Sequence, residues 1–202
     1  MRWGIGAALL LAVVALWYVF VYTPPVTNHD SQGTDIIAIG DSLVSGTGSS
    51  YRSDVVTLTA KAVGQPIENL GHSGDTTADV LARLRELDAY KPKVVIVLVG
   101  GNDYLRKVSD DEVFDNLGKI IEDIQGRGAM VLLVGIRGGV LTDPYAPRFK
   151  ELSRHYKTAY VPNALDGLFG NKKYMSDQVH PNDAGYAILA SRIAPVLQDL
   201  LQ

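Results

Sequence analysis

Six consecutive apolar residues, Val94-Val95-Ile96-Val97-Leu98-Val99, restrict the fold of this chain more than any other feature. A strand with one wet face alternates polar and apolar side chains, so a run with no polar position must be covered on both faces. Mostly β-branched and closed by Gly100-Gly101, it describes a buried strand of a parallel sheet flanked by helices. Ile36-Ile37-Ala38-Ile39 and Met130 to Ile136 are similar runs, Pro66 to Leu70 is a weaker strand, and Ala159-Tyr160-Val161 a brief edge strand. Helical spacing separates them. Val55, Leu58 and Ala62 mark a helix from Asp54 to Val63, and Val80, Leu81, Leu84 and Leu87 mark another from Thr77 to Leu87. Val113, Leu117, Ile120, Ile121 and Ile124 form the apolar face of a third, which Ser109 and Glu112 open as a capping box and Gly126 or Gly128 ends. Phe149 to Tyr156 reads as a short helix, and Asn182 or Asp183 caps a final one running to about Leu201. This alternation implies an α/β sandwich with a parallel sheet of about five strands. Right-handed crossovers then place all strand carboxyl ends at one edge, where open α/β sheets bind ligands.

The amino end follows a different rule. From Gly4 to Tyr22 no residue is charged, and Leu9, Leu10, Leu11, Val13, Val14, Leu16, Val19, Phe20 and Val21 make the run strongly apolar. At about 1.5 Å per residue, such a helix nearly spans a hydrocarbon core of roughly 30 Å. Trp3 stands at one end, and Trp17, Tyr18 and Tyr22 gather at the other, as interfacial aromatics do. Arg2 precedes the run and no lysine or arginine follows until Arg52, a bias that places the start inside and the remainder outside. A cleavable signal peptide needs a shorter apolar core and small residues before the cut, whereas this run ends in bulky aromatics followed by Pro24-Pro25. The expected organisation is a transmembrane anchor over 1–22 that stays uncleaved, a polar and poorly ordered linker over 23–34, and a folded domain over 35–202. It predicts a single-pass protein of the cytoplasmic membrane, its domain facing the periplasm or the cell exterior.

The remaining composition mainly excludes. The 202 residues suit one compact domain plus a short appendage, and a net charge of −3 without basic runs gives no reason to expect nucleic acid. With no cysteine, disulfides, thiolate metal sites and a cysteine nucleophile are ruled out. No His-x-x-x-His pair, complete dinucleotide fingerprint or phosphate loop is present.

Four short blocks carry the chemistry: Gly40-Asp41-Ser42-Leu43, Ser73-Gly74-Asp75-Thr76, Gly100-Gly101-Asn102-Asp103 and Asp177-Gln178-Val179-His180. Three follow strands and the fourth precedes the final helix. Ser42 is a candidate nucleophile, which needs a base to take its proton. His180 is the candidate base, with Asp177 three residues earlier and able to bond one ring nitrogen. Gly74 could offer a backbone N–H and Asn102 an amide N–H to a developing oxyanion. Each block alone has an ordinary reading as turn or cap chemistry, and Asp41 reads as a turn-stabilising side chain. Gly71-His72-Ser73-Gly74 half matches a nucleophile elbow, which keeps Ser73 and His72 as alternatives. Taken together the blocks supply the parts of a serine hydrolase.

From about Ile36 to the end, these blocks match in order those of the SGNH (GDSL) hydrolase superfamily, and the chain most resembles its bacterial acyl thioesterase, lysophospholipase and arylesterase branch. The resemblance implies a flavodoxin-like three-layer α/β/α sandwich without metal or organic cofactor. It also implies Ser42 as nucleophile, His180 as general base and acid, Asp177 as its orienting group, and an oxyanion hole of Ser42 N–H, Gly74 N–H and the Asn102 side chain. The expected reaction is hydrolysis of a carboxylic ester or thioester of an acyl substrate through an acyl-serine. A tether beside a bilayer favours lysophospholipids or other acyl lipids, and removal of O-acetyl groups from an envelope glycan is the alternative. A non-catalytic anchored binding protein is a third reading, less favoured because every catalytic residue type is present. Tyr104 and Leu105, just after Asn102, are expected to wall the acyl pocket with Leu141 and Tyr145 from the irregular segment Arg137 to Arg148.

Overall fold

The computed structural model describes residues 25–139 and 143–202. The expected anchor over 1–22 and the expected pocket residue Leu141 lie outside the described residues. Among the described residues no helix is long and apolar enough to cross a membrane.

Five strands, β1 (Asp35–Gly40), β2 (Glu68–Gly71), β3 (Pro92–Leu98), β4 (Met130–Val134) and β5 (Ala159–Val161), form one parallel sheet in the order β2-β1-β3-β4-β5. The apolar hexapeptide supplies the centre. Val95 lies beside Ile37 of β1 and Val131 of β4, and from Val94 to Leu98 no residue exceeds 4% exposure. Both faces are covered, which is why no polar position interrupts the run.

The helices are α1 (Ser42–Ser45), α2 (Val55–Val63), α3 (Thr77–Ala82), α4 (Gly101–Leu105), α5 (Asp110–Gly126), α6 (Tyr145–Tyr156) and α7 (Asp183–Leu200). α2 packs with α7, while α5 packs with α3 and α6. Right-handed crossovers on this strand order put these two groups on opposite faces of the sheet. Each apolar residue named above for α5 is fully buried. The chain leaves β1 in one direction to form β2 and returns to form β3 on its other side. That reversal opens a crevice beyond the carboxyl ends of β1 and β3.

Three expectations change. Thr77 to Leu87 is not one helix: α3 gives way at Arg83 (φ −112°) to a 3₁₀ turn, Leu84–Ala89. The short helix starts at Tyr145 rather than Phe149, with Pro147 in its first turn, where a missing N–H costs nothing. The segment expected to be a poorly ordered linker is fastened to the domain from Val26 onward. Asn28 adopts a left-handed conformation (φ 62°) that asparagine tolerates, and its amide donates to the carbonyls of Gln125 (2.8 Å) and Ala129 (3.0 Å). Gln125 lies in the last turn of α5 and Ala129 just ahead of β4, so the Asn28 amide ties the segment to both elements.

Candidate active site

β1 ends at Gly40, where a side chain is impossible because a Cβ would sit 1.9 Å from the Leu98 carbonyl oxygen. The next residue, Asp41, turns inward and caps α1 by accepting the Leu43 N–H at 2.9 Å. α1 lasts one turn before Gly46 (φ 84°) ends it, and its first residue is Ser42. Ser42 therefore sits at the carboxyl edge of the sheet with a backbone N–H that has no intrahelical acceptor.

His180 arrives from the far end of the chain. Asn182 caps α7 and also donates to the Lys173 carbonyl, Met175 and Pro181 form an antiparallel bridge, and the His180 carbonyl accepts from the Ser176 N–H at 2.9 Å. Gly48 (φ 94°) lets the loop after α1 pass beneath this turn, since a Cβ there would lie 2.2 Å from Ser176 Oγ and 3.2 Å from His180 Cβ. Tyr186, fully buried, donates its hydroxyl to the Thr47 carbonyl at 2.7 Å and joins the two loops.

The result is a continuous line. Asp177 Oδ2 lies 2.7 Å from His180 Nδ1, and His180 Nε2 lies 3.0 Å from Ser42 Oγ. The His180 ring, with the N–H groups of Val179 and His180, lowers the Asp177 carboxyl to about 2. An ionised carboxylate can only accept, so Nδ1 carries the ring proton and Nε2 is left to accept from the Ser42 hydroxyl. In this arrangement the imidazole can take the hydroxyl proton.

The other two blocks face the same edge. Gly74 (φ 94°) holds its turn open, with its carbonyl accepting from Arg106 at 2.8 Å. Asn102, the second residue of α4, donates its amide to the Asp75 carbonyl at 2.9 Å. Asp103, buried, accepts from the Thr77 N–H at 2.9 Å and from the Thr77 hydroxyl at 2.6 Å, tying α4 to the start of α3. Arg83 explains the break after α3. Its guanidinium donates to Asp75 Oδ2 (2.6 Å), Glu86 (2.9 Å) and the carbonyls of Gly40 and Leu70 (3.0 Å each), locking the Ser42 and Gly74 turns together.

Ser42, Asn102 and His180 line a cleft of about 190 Å³ with apolar walls, to which Tyr104, Leu105, Ile136, Leu165, Phe169 and Val179 contribute. Tyr104 and Leu105 lie at its rim, both exposed. Tyr145 is not brought to the cleft. As the first residue of α6 it is fully buried beneath Tyr104, edge-on to Tyr104 (6.2 Å) and to Phe114 (5.3 Å). Leu165 and Phe169 come from the turns after β5, where no periodicity marks them. Ser73 is held elsewhere, its hydroxyl 2.8 Å from Ser45 Oγ and 2.9 Å from Thr47 Oγ1.

Burial pushes the Asp41 carboxyl up to about 7, and the carboxylates of Asp103 and Asp75 add to the rise. The folded protein thus keeps a proton that the unfolded chain releases near its ordinary value of 3.8. Stability contributed at this site falls as pH rises from about 4 to about 7, by about 4 kcal/mol for a change from 3.8 to about 7. Asp41→Asn keeps a neutral acceptor for Leu43. Urea unfolding should therefore show the variant gaining about 4 kcal/mol on the parent between pH 4 and pH 8. A difference that does not move with pH would mean that Asp41 ionises normally.

Residues 38–188 match the family model described as the GDSL-like lipase/acylhydrolase family. The chain belongs to this family. Esterase TesA of Pseudomonas aeruginosa is 35% identical over 181 residues, 82% of this chain and 89% of the relative. The Escherichia coli protein named thioesterase 1/protease 1/lysophospholipase L1 is 25% identical over 199 residues, 92% of this chain and 94% of the relative. Among solved structures, the crystal structure of TesA aligns with a TM-score of 0.74 at 31% identity, covering 83% of this chain and 99% of that one. Like other GDSL family members, the protein is an ester-hydrolysing serine hydrolase.

Proposed function

We propose that the protein hydrolyses carboxylic esters or thioesters of acyl groups through an acyl-Ser42 intermediate. The observation that carries this reading is the line Asp177–His180–Ser42 at the base of a small apolar cleft. His180 takes the Ser42 proton as Oγ bonds to the acyl carbon, then delivers it to the departing alcohol or thiol. It next takes a proton from water as the water oxygen bonds to the acyl carbon, and returns that proton to Ser42 Oγ as the Oγ–acyl bond breaks and the acid leaves. The N–H groups of Ser42 and Gly74 and the Asn102 amide hold the oxyanion in both halves. The relatives' names, esterase in one case and thioesterase and lysophospholipase in the other, support acyl esters and thioesters as the substrate class. The cleft is smaller than the roughly 300–1,000 Å³ of sites for drug-sized ligands, which favours short and medium acyl groups.

Residues 1–22 act as an uncleaved single-pass anchor in the cytoplasmic membrane, 23–34 as a connector and 35–202 as the hydrolase domain on the periplasmic or outer side. The uncharged run Gly4 to Tyr22, with Arg2 before it, supports this placement.

p-Nitrophenyl esters from acetate to palmitate test the substrate reading. Rates should peak between butyrate and octanoate and fall for palmitate, and a fluorophosphonate should inactivate the enzyme by labelling the peptide that carries Ser42. A peak confined to acetate would favour the glycan O-acetylesterase, and labelling at Ser73 instead would displace Ser42 as nucleophile.

A further inference from the structure

The segment ahead of β1 determines which way the cleft faces. Val26 packs against the core, the Thr27 N–H donates to the Lys157 carbonyl (2.9 Å), and the Thr27 hydroxyl donates to the Tyr156 backbone carbonyl (3.0 Å). Asn28 holds the carbonyls of Gln125 and Ala129, and the N–H groups of Thr34 and Asp35 both donate to the Lys91 carbonyl (2.8 and 2.9 Å). These acceptors share one location. Lys91, Ala129 and Lys157 precede β3, β4 and β5, while Gln125 and Tyr156 lie at the carboxyl ends of α5 and α6. All belong to the amino-end edge of the sheet. Ser42, Gly74, Asn102 and His180 occupy the opposite edge, and the 7 residues of β3 separate the two by roughly 20 Å at about 3.3 Å each.

Only Thr23, Pro24 and Pro25 lie between Tyr22, the last residue of the apolar run, and the docked Val26. Fully extended, the four Cα steps from Tyr22 to Val26 reach at most about 14 Å. To bring the cleft down to the bilayer that holds the anchor, this tether would have to pass around a domain roughly 40 Å across. It is too short by more than half.

We infer that the cleft opens away from the membrane that anchors the chain, so that its substrates are acyl esters arriving through water and not lipids retained in the anchoring leaflet. This inference rests on the proposed anchor over residues 1–22. It reverses the expectation that a tether beside a bilayer favours substrates drawn from that bilayer. The exposed apolar rim of Tyr104 (42%), Leu105 (57%) and Phe169 (39%) belongs to the distal edge, where it meets the acyl part of an amphiphile entering from solution.

The test uses the full chain in phosphatidylcholine vesicles, supplied with p-nitrophenyl butyrate in the water and, in the same bilayer, a fluorogenic octanoyl ester held there by a non-hydrolysable ether-linked alkyl chain. The ratio of bilayer-ester to soluble-ester rates is compared with that in detergent micelles, where every ester can reach the cleft. It should be at least ten-fold lower in vesicles. A flexible Gly-Ser insertion of about 30 residues between Thr23 and Pro24, spanning roughly 30 Å, should bring it back near the micelle value. A parent chain that floats with the vesicles and hydrolyses the bilayer ester as well as in micelles would overturn the orientation while leaving the anchor intact. An insertion that gives no gain would overturn it equally. A chain that does not float with the vesicles has no anchor, and the inference falls with it.

Discussion

Ser42→Ala should lower ester turnover by about 10⁴–10⁶-fold while the protein stays folded. In the proposed mechanism the loss is large because the Ser42 hydroxyl bonds to the acyl carbon, and among the described residues no second serine or threonine lines the cleft. Ser73, its nearest rival by sequence, bonds to Ser45 and Thr47, while the ring nitrogen facing the cleft belongs to His180 and points at Ser42. The fold should survive because neighbouring residues hold α1. Asp41 caps it, Leu43 and Val44 are buried in the core, and Gly46 ends it. His180→Ala should cost a comparable factor, and the double variant should be little worse than either single one, since the pair works as a unit. The measurement is kcat on p-nitrophenyl butyrate for the three variants, with thermal unfolding followed by circular dichroism. A Ser42→Ala enzyme within ten-fold of the parent, at an unchanged melting temperature, would rule out Ser42 as nucleophile.

The sheet is legible in the sequence because an unbroken apolar run has one physical explanation. Val94 to Val99 predicts a strand covered on both faces, and β3 occupies Pro92–Leu98 with its second half fully enclosed. The two helices that begin at and beside the site residues are not legible. α1 and α4 have 4 and 5 residues, too few for a 3.6-residue period to show, and what starts them is local: the Asp41 cap and Gly100 at φ 124°. In sequence Arg83 is one more polar residue on a helix. Its bonds to Gly40, Leu70 and Asp75 depend on three segments meeting in space, which no window of sequence contains. The connector misleads for the opposite reason. Proline, asparagine, serine and glycine are common in free linkers, yet here Asn28, in a left-handed conformation, donates to the Gln125 carbonyl at the end of α5 and to the Ala129 carbonyl ahead of β4. Tyr145 suggests a pocket residue because the stretch around it looks irregular. It begins a helix instead, and a first-turn aromatic facing Phe114 and Phe149 belongs to the core.

Asn102→Ala should reduce kcat by about 10²–10³-fold and leave KM within a few-fold of the parent. One N–H of the Asn102 amide is already engaged with the Asp75 carbonyl at 2.9 Å, which fixes the plane of the group and leaves the second N–H for the cleft it lines beside Ser42. In the proposed mechanism a neutral ester carbonyl gains little from that donor, whereas the oxyanion formed as Ser42 attacks gains much, so the loss falls on the chemical step. The surrounding turn should hold without the amide. Arg83 still grips the Asp75 carboxylate, Arg106 the Gly74 carbonyl, and Asp103 still joins α4 to Thr77. Asn102→Asp is the sharper comparison, because it preserves shape while replacing the donor with an acceptor that repels the developing charge. It should be slower than the alanine variant, although it restores more of the original packing. If the aspartate variant is instead the faster of the two, or if alanine costs less than ten-fold in kcat, the side chain is a support for the Asp75 turn and the oxyanion is held by backbone N–H groups alone.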